Sequence, residues 1–149
     1  MIFILITVAI IIGALMPFQA GINAELTRFV RHPYLAAFMS FFTGTLALSI
    51  LVLVHGISGN VLGRLTEAPP RLFVGGVLGA LFVASTIYFI PRMGATTMIA
   101  ALVTGQLVMS VVIDHYGLMG LQVQQVTLQR IAGVLLLFVG LYLIMRKSA

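Results

Sequence analysis

Five stretches of this chain run for about 20 residues with almost no charge, and that pattern limits the possible folds more than any other feature. A helix rises about 1.5 Å per residue, so about 20 apolar residues cross the roughly 30 Å hydrocarbon core of a bilayer. The runs predict transmembrane helices at about 2–24, 33–54, 72–90, 93–113 and 126–145. Arg130 is the one charged residue inside any of them, and it is placed to snorkel toward the interface. No run shows sustained period-2 alternation, which argues against membrane strands. Hydrophobic residues make up 61% of the chain and charged residues 7%, against about a quarter charged in soluble domains. The reading is an all-α, five-span integral membrane protein forming a single domain over residues 1–149.

Several chemistries are excluded at this level. There is no cysteine, so neither a disulfide framework nor a thiolate metal site is available. Three scattered His and three acidic residues predict no metal site, and no cofactor motif is present. The net charge of +5 does not point to nucleic acid, because the Lys and Arg residues lie in the gaps between apolar runs, where headgroups and water meet them. No basic segment precedes Ile2 and no small-residue cleavage site follows the first run, so a cleaved signal peptide is not expected. With no Ser-His-Asp arrangement, HExxH motif or Gly-rich phosphate loop, an enzyme is not expected.

The connections read as short. "TRFVRH" joins the first two spans, "HGISGNVLGRLTEAPPR" reads as a Gly/Pro-rich loop, and "PRMG" reads as a tight turn. "DHYGLMGLQVQQ" is half polar and suits a path along the interface. Five spans put the termini on opposite sides. Arg64, Arg71 and Arg130 then lie on the N-terminal side, and Arg28, Arg31, Arg92, Arg146 and Lys147 on the other. Three against five is a weak positive-inside bias. Either one topology is modestly favoured, or the chain inserts both ways and pairs head to tail. The second arrangement would reproduce the inverted halves of many transporters in an antiparallel homodimer.

The polar residues inside the spans are the candidate site. Gln19 and Asn23 are four apart and share a helical face. They follow Pro17, which is expected to kink its helix and to free a backbone carbonyl. An amide in lipid costs free energy unless it is bonded, so the pair reads either as the wall of a substrate site or as helix–helix bonding. Glu25 lies about 200° around the helix from Asn23 and reads as a surface group near Arg28. In the fourth span Gln106, Ser110 and Asp114 climb one face at i, i+4 and i+8. Gln106 is the deepest, either a substrate contact or a structural amide. Asp114, at the span's end, marks an ion path or anchors the following turn with His115. Arg92 reads as a headgroup anchor or as a gate at a vestibule. Gly75 and Gly79 form a GxxxG step, and Ala36, Ser40 and Gly44 form a similar ridge, both suited to close helix packing.

The fourth span and its flanks, "YFIPRMGATTMIAALVTGQLVMSVVIDHYGLMG", carry a more specific signal. Pro91, Arg92, Gly94 and Ala95, then Gly105, Gln106 and Leu107, then Ile113, Asp114, His115, Tyr116 and Gly117 resemble the DUF606 (YdcZ-like) family of the drug/metabolite transporter superfamily. Pro17, Gln19, Ala20, Asn23 and Leu26 resemble that family's first span, and Ser40, Phe41 and Gly44 its second. Glu25 is outside the family pattern, and the Gln124–Gln125 stretch lacks a proline that the pattern carries. The resemblance implies a bacterial inner-membrane protein and, for single-gene members, a dual-topology homodimer whose partner is a second copy. The expected function is alternating-access transport of a small polar metabolite, with Gln19, Asn23, Gln106 and Ser110 as substrate contacts. The alternatives are a passive dual-topology channel, a proton-coupled exporter of small cations or drugs, and a non-transporting scaffold.

Overall fold

The computed structural model describes residues 2–57 and 59–146; Lys147, counted in the charge asymmetry above, lies outside them. Among the described residues every regular element is helical. Five helices are long and apolar enough to cross a membrane: α1 (Ile2–Val30), α2 (Pro33–His55), α4 (Val74–Met93, preceded by a 3-10 turn at Pro70–Phe73), α5 (Ala95–Tyr116) and α6 (Leu128–Arg146). The protein is therefore a multi-pass membrane protein with five spans. A shorter helix, α3 (Gly59–Glu67), lies between the second and third spans.

Each span begins or ends where the backbone requires it. α1 runs on past Ala24 to Val30, so its 29 residues extend about 43 Å. That exceeds the roughly 30 Å hydrocarbon layer. α1 stays helical through Pro17. The connection to α2 shrinks to Arg31 and His32. Arg31 ends α1 with φ +55°, and His32 is extended, as a residue before proline prefers. The His32 Nδ1 accepts the Leu35 N–H at 3.3 Å, capping α2 behind Pro33 at its first position.

Two connections differ from the sequence expectation. The "GNVLGRLTE" stretch expected as loop is the helix α3, with Val61, Leu62 and Leu65 spaced for one apolar face. Its three glycine and proline neighbours mask this in a composition count, whereas the spacing reveals it. "PRMG" is not a turn of four residues. α4 continues through Pro91 and Arg92 to Met93, and Gly94 alone makes the break with φ +80°. The helix tolerates Pro91 at the cost of one backbone bond near its end, where few bonds follow.

The described chain forms two compact units, residues 1–92 and 93–149. In the first, α1 and α2 pack as an antiparallel pair, and α2 meets α4 through Ala36, Ala37, Val83 and Ile87. Ala36 is completely buried. In lipid such side-chain contact contributes through van der Waals fit rather than through the hydrophobic effect. Of the GxxxG pair, Gly79 packs beside the Phe41 ring, 3.5 Å from where a Cβ would stand. Gly75 and Gly44 face open space in the chain.

The second unit is an α5–α6 hairpin. α5 ends at Gly117 in the left-handed conformation, φ +60°. Beyond a 3-10 turn at Leu118–Gly120, Leu121 is extended, and residues 121–127 form an irregular segment that folds back on the end of α5. The Gln124 N–H donates to the Asp114 carbonyl at 2.8 Å, and the Val126 N–H to His115 Nδ1 at 3.4 Å.

Candidate functional site

α1 and α2 leave a cavity of about 710 Å³ between them, open along one side. Gln19 and Asn23 line it from α1, and Ser40 and Thr43 from α2; the rest of the wall is apolar, including Met39 and Leu26. Asn23 is only 4% exposed and sits one turn from Gln19, as the i, i+4 spacing requires. A second cavity of about 220 Å³ adjoins Gly44, Phe41 and Thr45, and Gln19 and Ser40 line it as well. These two side chains thus stand at the partition between two spaces.

The hydroxyls are satisfied locally. Thr43 Oγ1 donates to the carbonyls of Met39 and Ser40 at 3.0 Å each, and Thr45 Oγ1 to the Phe41 carbonyl at 2.8 Å. Below Asn23, Thr27 Oγ1 donates to the Asn23 carbonyl at 2.9 Å. Back-bonding of this kind removes the hydroxyl's need for a partner in lipid and leaves its lone pairs as acceptors. The amides of Gln19 and Asn23 contribute donors and acceptors together. No charged side chain lines either cavity. Glu25 is exposed, lies outside the lining, and forms no ion pair with Arg28. The arrangement suits an uncharged solute with an apolar body and a hydrogen-bonding head.

The other expected site residues sit elsewhere. Gln106 and Ser110 are exposed on α5, with Ser110 Oγ donating to the Leu107 carbonyl at 2.9 Å. Neither lines the α1–α2 cavity, which is complete within the first unit. Asp114 pairs with Arg130 of α6, Oδ2 to Nη1 at 3.3 Å, and both side chains are about one-third exposed. Arg130 also donates to the Gln124 side-chain oxygen. The pairing supports the anchoring alternative for Asp114, with Arg130 turned to it. Arg92 lies over the Tyr88 ring, its guanidinium carbon 3.6 Å from the centroid, and donates to the Tyr88 carbonyl.

Sequence reasoning took Ser40 as part of a packing ridge and of the family resemblance, not as a site residue, and passed over Thr43 and Thr45. Their signal was present. Ser40 and Thr43 fall within one turn of a mostly apolar span, and both line the cavity against α1.

A cavity between membrane helices, apolar over most of its wall with a few hydrogen-bonding groups, gives a carrier a place to hold a solute. A family model described as "Putative inner membrane exporter, YdcZ" matches residues 4–143, nearly the whole chain. The chain belongs to the YdcZ family. Membership makes it a multi-pass inner-membrane protein of a transporter type and not of an enzyme type. No curated protein and no solved structure matches the chain. The YdcZ match spans both units, so it includes the amide pair on α1 as well as the Gln106 and Asp114 face of α5.

Proposed function

We propose that this YdcZ-family protein exports a small, uncharged polar solute by alternating access, working as an antiparallel homodimer. The observation that carries the reading is the α1–α2 cavity, where a buried Asn23 and an exposed Gln19 share the wall with Ser40 and Thr43 of α2 and no charged residue. A site built of neutral amides discriminates by hydrogen bonding, because an analogue lacking the matching group leaves a buried amide unpaired. Gln19 and Ser40, which border both cavities, are placed to change partners as the substrate passes. In the dimer, Gln106 and Ser110 of α5 are assigned to the same translocation path.

The homodimer reading rests on four supports. The number of spans is odd, so a second copy inserted the other way supplies the inverted half. The charge bias across the membrane is weak. Gly44 and Gly75 lie open on helices that otherwise pack through small residues. α6 carries no buried residue among those described, leaving its surface for lipid or a partner.

The test is ligand-dependent thermal stabilisation of purified protein against a panel of neutral, anionic and cationic metabolites. Neutral compounds are expected to raise the melting temperature of wild type. Gln19→Leu/Asn23→Leu should lose the response while keeping the apo melting temperature within a few degrees. Each lost neutral hydrogen bond is worth about 1 kcal/mol, about fivefold in affinity. If the double variant binds as tightly as wild type, the α1–α2 cavity is not the substrate site. If cations alone stabilise, the proton-coupled cation exporter replaces this reading.

A further inference from the structure

A third cavity, of about 290 Å³, lies in the first unit between the start of α2 and the end of α4. Tyr34 closes it from α2, and Ser85, Tyr88 and Phe89 from α4, with Leu81 and Ala84 on its floor. Ala84 also borders the Ala36–Ile87 core, so the cavity is set into the rigid part of the unit. It shares no lining residue with the two Gln19 cavities. One turn beyond it stands Arg92, stacked on the Tyr88 ring. Among the described residues no carboxylate lies within ion-pair distance of Arg92, whereas Arg130 has Asp114. Arg92 spends one donor on the Tyr88 carbonyl, and a guanidinium carries five.

We infer that this cavity is a binding site for an anionic phospholipid, with the Arg92 guanidinium on the headgroup phosphate. The charge is complementary and uncompensated. Stacking on Tyr88 holds the guanidinium plane in place, which preorganises it for bidentate contact with phosphate oxygens. The Ser85 hydroxyl donates to the Leu81 carbonyl at 2.7 Å, so it enters the cavity as an acceptor. The glycerol hydroxyls of a phosphatidylglycerol headgroup supply the donor. The aromatic and aliphatic remainder of the wall takes the first methylenes of an acyl chain, at the level where Tyr residues gather in membrane proteins. Basic pockets between spans recognise anionic headgroups by this combination of charge and shape.

The experiment uses the full-length protein in neutral detergent, titrated with phosphatidylglycerol or with phosphatidylcholine of the same acyl chains. Retained lipid is counted by native mass spectrometry and stability by thermal unfolding. Phosphatidylglycerol should be retained preferentially and raise the melting temperature. Arg92→Gln should weaken that retention about fivefold, as loss of one cation near a headgroup does. Ser85→Leu, which fills the cavity but leaves Arg92, should weaken it similarly, while Arg28→Gln should change it less than twofold. Tyr34→Leu, which removes the α2 wall, serves in place of Ser85→Leu if that variant is not monodisperse. Equal retention of the two lipids overturns the site. Equal loss in Arg28→Gln shows diffuse surface charge and overturns it too. So does an equal stabilisation by glycerol 3-phosphate, which identifies a free phosphate as the ligand.

Discussion

Gln19 with Asn23, and Gly117, illustrate two demands that single residues meet here. The amide pair was legible from spacing alone, because a helix fixes which residues share a face. Its partners were not, since Ser40 and Thr43 belong to another element and only packing selects them. Removing the amides in favour of Leu should cost binding rather than folding, as set out above. Gly117 makes a different demand. Its φ of +60° and its closeness to the chain both exclude a side chain, since a Cβ there would stand 2.7 Å from Val123 Cγ2 and 3.1 Å from the Leu121 carbonyl oxygen. Gly117→Ala should destabilise the hairpin by about 1–2 kcal/mol, the cost of a left-handed non-glycine residue. Thermal unfolding reads the loss. Adding Val123→Ala should recover the steric share and not the backbone share, so full recovery would show that the φ angle carries no penalty.

Two elements carry predictions of their own. The α5–α6 hairpin is tied by Asp114, Arg130 and Gln124, with the irregular 121–127 segment bonded back to Asp114 and His115. A pair one-third exposed is worth about 0.5–1 kcal/mol. A double-mutant cycle on Asp114→Asn and Arg130→Gln, read by thermal unfolding, should return a coupling of that size. Zero coupling would mean that the contact is incidental and would reopen an ion-path role for Asp114. The short helix α3 presents Val61, Leu62 and Leu65 at spacings of one apolar face, all of them exposed in the chain. Such a helix is expected to lie in the headgroup layer with Arg64 toward phosphate. A spin label at Leu62 should be reached by oxygen and shielded from a water-soluble nickel chelate. The reverse accessibility would place α3 in water.

At the scale of the whole molecule the decisive property is orientation. Arg28, Arg31, Arg92, Arg146 and Lys147 outweigh Arg64, Arg71 and Arg130 by a margin too small to fix one topology. C-terminal reporters that act on only one side of the membrane should therefore both give signal at equal expression. Silence of one of them would remove the antiparallel homodimer. Where both signal, cysteines introduced at Gly75 of two copies should not cross-link, because Gly75 lies at the start of α4 and inversion of one copy puts the two positions on opposite faces of the membrane; a cross-link there would show a parallel pair and remove the antiparallel homodimer. Membership of the YdcZ family, described as one of inner-membrane exporters, does not depend on that outcome.

The sequence by itself determined the spans and their number, because the cost of charge in hydrocarbon is imposed residue by residue and needs no neighbour, while the family was legible only as a resemblance in the motifs of the fourth span and its flanks. It also placed Gln19 with Asn23 and Gln106 with Ser110, since helical geometry is local. It misjudged the two places where local composition and local spacing disagree, reading α3 as loop and the Pro91–Arg92 end of α4 as turn. The tertiary structure alone decided that the amides of α1 face hydroxyls of α2 across a cavity, that Gln19 and Ser40 border two spaces, and that Arg130 turns to Asp114. Those facts depend on which faces α1 and α2, and α5 and α6, turn toward each other. In lipid that choice rests on van der Waals fit between surfaces distant in sequence, and no pattern along a single helix encodes it.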